Sequence, residues 1–173
     1  MKATIIVALF LTLFGASYAV DKCPDVKFME NFDHKRFLGR WYGIVTTGID
    51  MPCGSYELFD IGSTTNYKMI LHPANVNIEL SRKGKTLDEG FNLKTPFELL
   101  NNSNMRIFTT DYDNYAVVIE CKNLGGPIYL AVTIGSRQKT LDSKIVEKLK
   151  SEVVAKTGID ISGMKPIDHV QCY

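Results

Sequence analysis

Short strand-like segments separated by turn residues run through most of this sequence, and this succession constrains its fold more than any other feature. The segments are rich in β-branched and aromatic residues, and groups such as Asn123-Leu124-Gly125-Gly126-Pro127 between them are typical of turns. No helix-length segment separates consecutive candidates, which excludes a βαβ alternation and predicts an antiparallel meander. Two of the nine candidates can belong to one strand. The candidates are Arg40 to Thr47, Ser55 to Ile61, Tyr67 to His72, Val76 to Ser81, Thr86 to Leu93, Pro96 to Leu100, Met105 to Thr110, Tyr115 to Cys121 and Ile128 to Ser136.

One later segment has helical periodicity instead. From Leu141 to Lys156 the apolar residues recur at spacings of three and four. Thr140 or Asp142 is suited to cap the start of this helix, and Gly158 is suited to end it. The lysines of the segment would fit a membrane-surface helix, but acidic residues dilute their charge. We therefore expect the apolar stripe to dock on the sheet.

A sheet of about eight antiparallel strands has two edges to protect, and closure into a barrel removes both. The expected fold is all-β: an eight-stranded antiparallel up-and-down β-barrel with one C-terminal amphipathic helix packed outside. A β-sandwich is the competing architecture. The Cys, Trp, Cys order of an immunoglobulin domain is absent, because the only tryptophan, Trp41, precedes Cys53. An eight-stranded barrel is wide enough inside for one small ligand.

The N-terminal segment has the pattern of a secretory signal peptide. Lys2 precedes an apolar run that is short for a membrane span, and Ser17-Tyr18-Ala19 fits a cleavage site. We expect residues 1–19 to be removed and residues 20–173 to form one secreted, extracellular domain. An uncleaved N-terminal anchor is the alternative.

The charge balance excludes two classes of partner. With 20 Lys and Arg against 19 Asp and Glu, the chain lacks the basic field that nonspecific binding to nucleic acid or anionic membranes requires. We expect no nucleic-acid partner and no stable membrane insertion.

An even number of cysteines in an exported chain predicts disulfides. Cys23, Cys53, Cys121 and Cys172 would form two, and the residues alone allow three pairings. No Cys-x-x-Cys pair occurs and no His lies at ligand spacing, so we expect no metal site. Asn101-Asn102-Ser103 is a glycosylation sequon, which predicts an exposed turn with Asn101 as the acceptor.

Three separated motifs resemble the signature regions of the lipocalin family. They are Gly39-Arg40-Trp41-Tyr42, Thr110-Asp111-Tyr112-Asp113-Asn114-Tyr115-Ala116, and Arg137 at the end of the last candidate strand. Cys23-Pro24-Asp25-Val26 with Asn31-Phe32-Asp33, and the segment from Gly158 to Cys172, are similar to the apolipoprotein D and insect bilin-binding (insecticyanin) branch. The resemblance covers Cys23 to Cys172.

The resemblance implies a role for each signature residue. Trp41 would lie across the closed base of the barrel, with Arg137 over its ring in a cation–π contact. We interpret the following residues as architecture rather than as a binding site: Gly39, Trp41, Thr110, Asp111, Tyr112 and Arg137. The implied disulfide pairing is Cys23 with Cys121 and Cys53 with Cys172.

Strand alternation predicts which side chains face the interior. If Trp41 points inward, Gly43, Val45 and Thr47 follow it, and counting back from Arg137 gives three positions on the last strand. The family's pocket pattern implies inward side chains on three further strands. The predicted ligand-binding residues are Val45, Tyr56, Leu58, Met105, Ile107, Ala116, Val118, Tyr129, Ala131 and Thr133. This lining is apolar with a few hydroxyl groups that would orient one polar end of a guest.

The function that the resemblance implies is that of a secreted carrier, which binds and transports or sequesters a small hydrophobic ligand. Candidate ligands are a lipid, a fatty acid, a sterol or a bilin pigment. The short connection Asn101-Asn102-Ser103-Asn104 trims the mouth of the barrel, which favours a fatty acid or sterol over a tetrapyrrole. We expect no cofactor, although the sequence leaves open a bilin that is bound without a covalent bond. The oligomeric state does not follow from the sequence.

Two other classes of function compete with the carrier. One lipocalin branch isomerises a prostaglandin through a cavity thiolate, but four cysteines in disulfides leave no such nucleophile, so we expect no enzyme. The alternative is a haem-binding, small-amine-binding or protein-binding lipocalin of the arthropod salivary type. His72 is the one histidine within a candidate strand, and Pro73 beside it favours a strand end.

Overall fold

The computed structural model describes residues 22–27, 29–62, 66–82, 90–170 and 172. The expected signal segment lies outside these residues, as does the first half of the candidate strand Thr86 to Leu93. The described elements, in chain order, are α1 (His34–Phe37), β1 (Gly39–Thr46), β2 (Ser55–Asp60), β3 (Asn66–His72), β4 (Val76–Arg82), β5 (Phe91–Lys94), β6 (Asn104–Thr110), β7 (Tyr115–Asn123), β8 (Ile128–Ser136), α2 (Ser143–Thr157) and β9 (Lys165–Pro166).

The first eight strands form a closed antiparallel barrel. Each pairs with the next in sequence, and β1 pairs with both β2 and β8, which closes the ring. Trp41 on β1 is opposite Tyr56 on β2. The short strand β9 pairs with the far end of β1, where Pro166 is opposite Val45. The expected all-β barrel is confirmed.

A bulge in β1 reverses the expected alternation along that strand. The register between β1 and β8 shifts between Gly43 and Val45, and one extra residue turns the following side chains to the opposite face. Thr46 is therefore the buried residue that faces the interior, while Val45 packs against the outer core under α2. The prediction that Val45 faces the cavity is wrong, and Thr47 does not line it either.

Helix α2 packs on the outside of the barrel, as its periodicity predicted. The Asp142 side chain accepts a hydrogen bond from the Lys144 N–H at the start, and Gly158 ends the helix with a left-handed φ of 68°. The apolar stripe and the outward faces of β7 and β8 form an outer core that contains Val117, Ile119, Val132, Ile134, Val146, Leu149 and Val153.

The candidate strand Pro96 to Leu100 is a turn. The Phe97 carbonyl accepts hydrogen bonds from the N–H groups of Leu100 and Asn101, and the Asn101 side chain accepts one from Thr95 N–H. These local bonds satisfy backbone groups that a strand would pair with a neighbour. The segment folds across the barrel mouth, where Phe97 and Leu100 line the interior.

The four cysteines have the pairing that the resemblance implied. Cys23 bonds to Cys121 on β7, and Cys53 bonds to Cys172 in the C-terminal tail. One disulfide therefore ties the N-terminal segment to the barrel, and the other ties the tail to the loop between β1 and β2.

Candidate ligand-binding cavity

The base of the barrel is filled and sealed by aromatic side chains. Trp41 is fully buried, stacks on Phe37 with 4.9 Å between ring centroids, and donates from Nε1 to the Phe37 carbonyl at 2.8 Å. Helix α1, which carries Phe37, is capped by Asp33, and the Asp33 N–H donates to the Tyr112 hydroxyl. The short helix thus closes this end.

Arg137 covers Trp41 from outside the barrel. Its guanidinium carbon lies 3.7 Å from the centroid of the indole ring. Its three nitrogens donate to the carbonyls of Tyr112, Arg40 and Arg36 at 2.8–3.0 Å. The cation–π contact implied by the resemblance is therefore present, together with hydrogen bonds that join three segments of the base.

The loop that follows β6 is ordered by one carboxylate. Asp111 accepts hydrogen bonds from the N–H groups of Asp113, Asn114 and Tyr115. Burial acts to raise the pKa of Asp111, but these hydrogen bonds outweigh it and hold the pKa below its usual value. The Thr110 hydroxyl donates to the Tyr115 carbonyl at 2.6 Å. The signature residues thus meet at the closed end, away from the cavity.

Above this base the barrel contains a cavity of about 250 Å³. Six of the ten predicted ligand-binding residues line it: Tyr56, Met105, Val118, Tyr129, Ala131 and Thr133. Leu58, Ile107 and Ala116 face the interior but belong to the packed base. Alternation therefore predicted which side chains face the barrel interior better than it predicted whether they lie in the cavity or in the packed base.

Other residues that line the cavity were not predicted from the sequence. Strands β3, β4 and β5 contribute Met69, Leu71, Ile78 and Leu93, which the alternation of those strands could have identified. The connection after β1 and the tail contribute side chains that no periodicity marks. Together the missed residues include Thr46, Gly48, Ile49, Met51, Ser55, Met69, Leu71, Ile78, Leu93, Phe97, Leu100, Glu120 and Ile167.

Hydroxyl groups lie in the deep and middle parts of the wall. The Tyr56 hydroxyl, at the level of Trp41, is buried and has no hydrogen-bond partner among the described residues, and burial raises its pKa. Higher up, the hydroxyls of Thr46 and Thr133 bond to each other at 2.8 Å. The deepest polar group of the wall is thus unpaired.

Glu120 is the one charged residue among the described residues that line the cavity. It lies on β7 opposite Met105 and Ala131, and the fully buried Ser103 donates a hydrogen bond to its Oε1. Burial raises the pKa of this carboxyl, which the Ser103 hydrogen bond opposes. Burial and the charge of Glu120 also raise the pKa of Tyr129. The alternation that predicted Val118 reaches Glu120 two residues later.

No cluster of metal-ligating side chains is present in the part of the chain that the structure describes. It contains no group of three or more His, Cys, Asp or Glu side chains that could hold a metal ion. His72 is absent from the cavity lining, and its ring lies 3.9 Å from the Glu57 carboxylate. Among the same described residues, no helix has the length and apolar character needed to cross a membrane.

The sequon at Asn101 lies in the turn between β5 and β6. Asn101 is half-buried and Asn102 is exposed, whereas Ser103 is fully buried. Glycosylation of Asn101 stays a prediction.

The sequence matches one protein family and several curated relatives. The profile of the lipocalin / cytosolic fatty-acid binding protein family matches residues 62–170. Apolipoprotein D of Mus musculus is 30% identical, in an alignment that covers 95% of this chain and 91% of that protein. Apolipoprotein D of Cavia porcellus is also 30% identical, over 91% of this chain and 88% of that protein.

Solved structures share the same fold. Lobster apocrustacyanin A1 superposes with a TM-score of 0.64 at 16% identity, over 86% of this chain and 93% of that one. Insecticyanin from the tobacco hornworm Manduca sexta gives a TM-score of 0.61 at 19% identity, over 87% of each chain. At these identities the likeness concerns the fold.

Proposed function

This chain belongs to the lipocalin family, and from that premise we propose that it carries one small hydrophobic ligand in the cavity above Trp41. The observation that carries the proposal is a closed barrel whose base is sealed while its upper half stays hollow and mainly apolar. A hollow of this kind replaces water around a poorly soluble molecule with van der Waals contacts.

The size of the cavity supports micromolar affinity for a slender guest. At about 250 Å³ it lies just below the range of roughly 300–1,000 Å³ that is typical of ligand pockets. Burying about 300 Å² of apolar ligand surface at about 25 cal/mol/Å² contributes roughly 7 kcal/mol before ordering losses. A gain of this size corresponds to a dissociation constant of about 10 μM, and ordering losses shift it toward weaker binding.

The shape of the mouth supports a fatty chain or a sterol over a bilin. Phe97 and Leu100 fold into the space at the mouth that a broad tetrapyrrole would occupy. An absorption spectrum and an organic extract of the natively purified protein test this choice. A colourless extract that contains lipid is the expected result, and absorption bands in the red would instead identify a bilin as a non-covalent cofactor.

We further propose that the protein acts by binding, outside the cell. The disulfides are stable in an oxidising compartment, and they include all four cysteines, so no thiol is available as a nucleophile. The haem, small-amine and protein-binding alternatives are not favoured, because the matched relatives are apolipoprotein D and His72 does not face the cavity.

Titration with the neutral fluorescent dye Nile red tests the carrier function. We expect one dye per chain with micromolar affinity, and displacement by fatty-chain lipids. Val118→Trp fills the cavity wall, whereas Val154→Trp places the same ring on the exposed face of α2, where Val154 is 48% exposed.

Val118→Trp should weaken dye binding at least about tenfold, and Val154→Trp should leave it unchanged. Circular dichroism establishes that both variants are folded. Equal dye binding by the two folded variants would contradict the proposal.

A further inference from the structure

The upper wall of the cavity contains a carboxyl group that a carrier of purely apolar ligands does not need. Glu120 lies four residues along β7 from Ala116 of the base, a distance of about 13 Å for an extended strand. It therefore lies at the level where the outer end of a bound chain would emerge. An acid at a cavity wall is costly to retain unless something bonds to it.

The bonding capacity of this carboxyl group is only partly used. Ser103 donates to Oε1, and no described residue donates to Oε2. No Lys, Arg or His occurs among the described residues that line the cavity. A ligand carboxylate would therefore meet a second acid and no counter-ion, whereas a ligand hydroxyl would find a strong acceptor.

We propose that Glu120 determines the specificity of the carrier for the polar end of its ligand, favouring lipids that end in a hydroxyl group over lipids that end in a carboxylate. This inference rests on the proposed carrier function. The apolar body lies in the cavity below Glu120, against Val118, and its hydroxyl donates to Glu120.

A purely structural role of Glu120 makes a different prediction. The hydrogen bond from Ser103 also fastens the turn after β5 to β7, so its loss could loosen the mouth. A looser mouth would change the affinity for alcohols and acids alike. The ratio of the two affinities separates the roles, because only a direct contact with the polar end changes it.

The experiment measures displacement of bound Nile red by 1-dodecanol and by dodecanoate at neutral pH. These competitors have the same chain length and differ at one end. Four proteins are compared after enzymatic removal of glycans: the natural sequence, Glu120→Gln, Ser103→Ala and Glu79→Gln. Glu79 is a matched control, since its side chain is 69% exposed on β4.

In Glu120→Gln we expect the preference for dodecanol over dodecanoate to fall about tenfold, since a charge-assisted hydrogen bond is lost and a repulsion is removed. Glu79→Gln and Ser103→Ala should keep the natural ratio within about twofold. If the Gln variant does not fold, Glu120→Leu should show the same fall.

Three results would overturn the inference. A ratio in Glu120→Gln within twofold of the natural one shows that the acid does not contact the polar end. An equal fall in Ser103→Ala, which retains the acid, shows that the carboxyl group of Glu120 does not by itself determine the preference. If the natural protein and Glu79→Gln fail to bind Nile red at all, the carrier function itself fails and the specificity with it.

Discussion

The two halves of this barrel differ in how their polar groups are satisfied. At the base, Arg137 and Asp111 each bond to several backbone groups, and the indole N–H of Trp41 has a carbonyl partner. In the cavity half, the buried Tyr56 hydroxyl has no partner among the described residues, and Ser103 donates to only one of the two carboxylate oxygens of Glu120. The same ring of strands thus locates stability at one end and leaves unsatisfied bonding capacity at the other, where a guest can use it.

Truncation of the indole at the base should have the largest effect on stability. Trp41→Ala removes a fully buried ring and its contacts with Phe37 and Arg137, and we expect a loss of about 4 kcal/mol in the free energy of unfolding. Guanidinium denaturation with disulfides intact measures it. A loss under about 1 kcal/mol would contradict the assignment of stability to the base.

The same substitution in the two halves sharpens the comparison. Leu80 is fully buried in the packed base, whereas Leu71 is partly buried and lines the cavity. We expect Leu80→Ala to cost about 3 kcal/mol and Leu71→Ala about 1 kcal/mol, since the second site already borders a hollow. Equal losses in denaturant melts of the two variants would show that the halves are packed alike.

Low pH should lower the stability of the closed end of the barrel through Asp111. Hydrogen bonds hold the pKa of Asp111 below its usual value. The stability that Asp111 contributes is therefore fully present at pH values above the usual pKa and is lost as the pH falls through the folded-state pKa. Asp111→Asn should cost about 1 kcal/mol at pH 7 and less at pH 2. A difference in unfolding free energy that does not change between those pH values would refute this.

Glu120 in the cavity should make stability depend on pH in the opposite direction to Asp111, and this is the smallest effect that we expect. Burial raises the pKa of Glu120, so the natural protein loses stability as the pH rises through that raised value. Glu120→Gln should therefore have a slightly higher thermal midpoint at pH 7 and the same midpoint at pH 3. Glu79→Gln provides the control, since that side chain is exposed, and a lower midpoint in Glu120→Gln at pH 7 would contradict the expectation.

The base was predictable from the sequence because its residues form motifs with fixed partners. Trp41 and Arg137 could be placed by resemblance, and the periodicity from Leu141 located α2 almost to its ends. The cavity was less predictable, since the bulge after Gly43 leaves no mark in the pattern of apolar residues. Side chain bonds, rather than periodicity, made the segment from Pro96 a turn. Glu120 was not predicted, because an acidic residue does not fit the apolar lining that the alternation was used to identify.

The two disulfides interlock along the chain, with consequences for proteolysis. Cys53 lies inside the segment that Cys23 and Cys121 enclose, and its partner Cys172 lies beyond it. A single peptide-bond cut anywhere between Cys23 and Cys172 therefore leaves two fragments that remain covalently joined. A protease acting once on the oxidised protein changes its mobility only on a reducing gel, and the nicked molecule keeps all of its strands together.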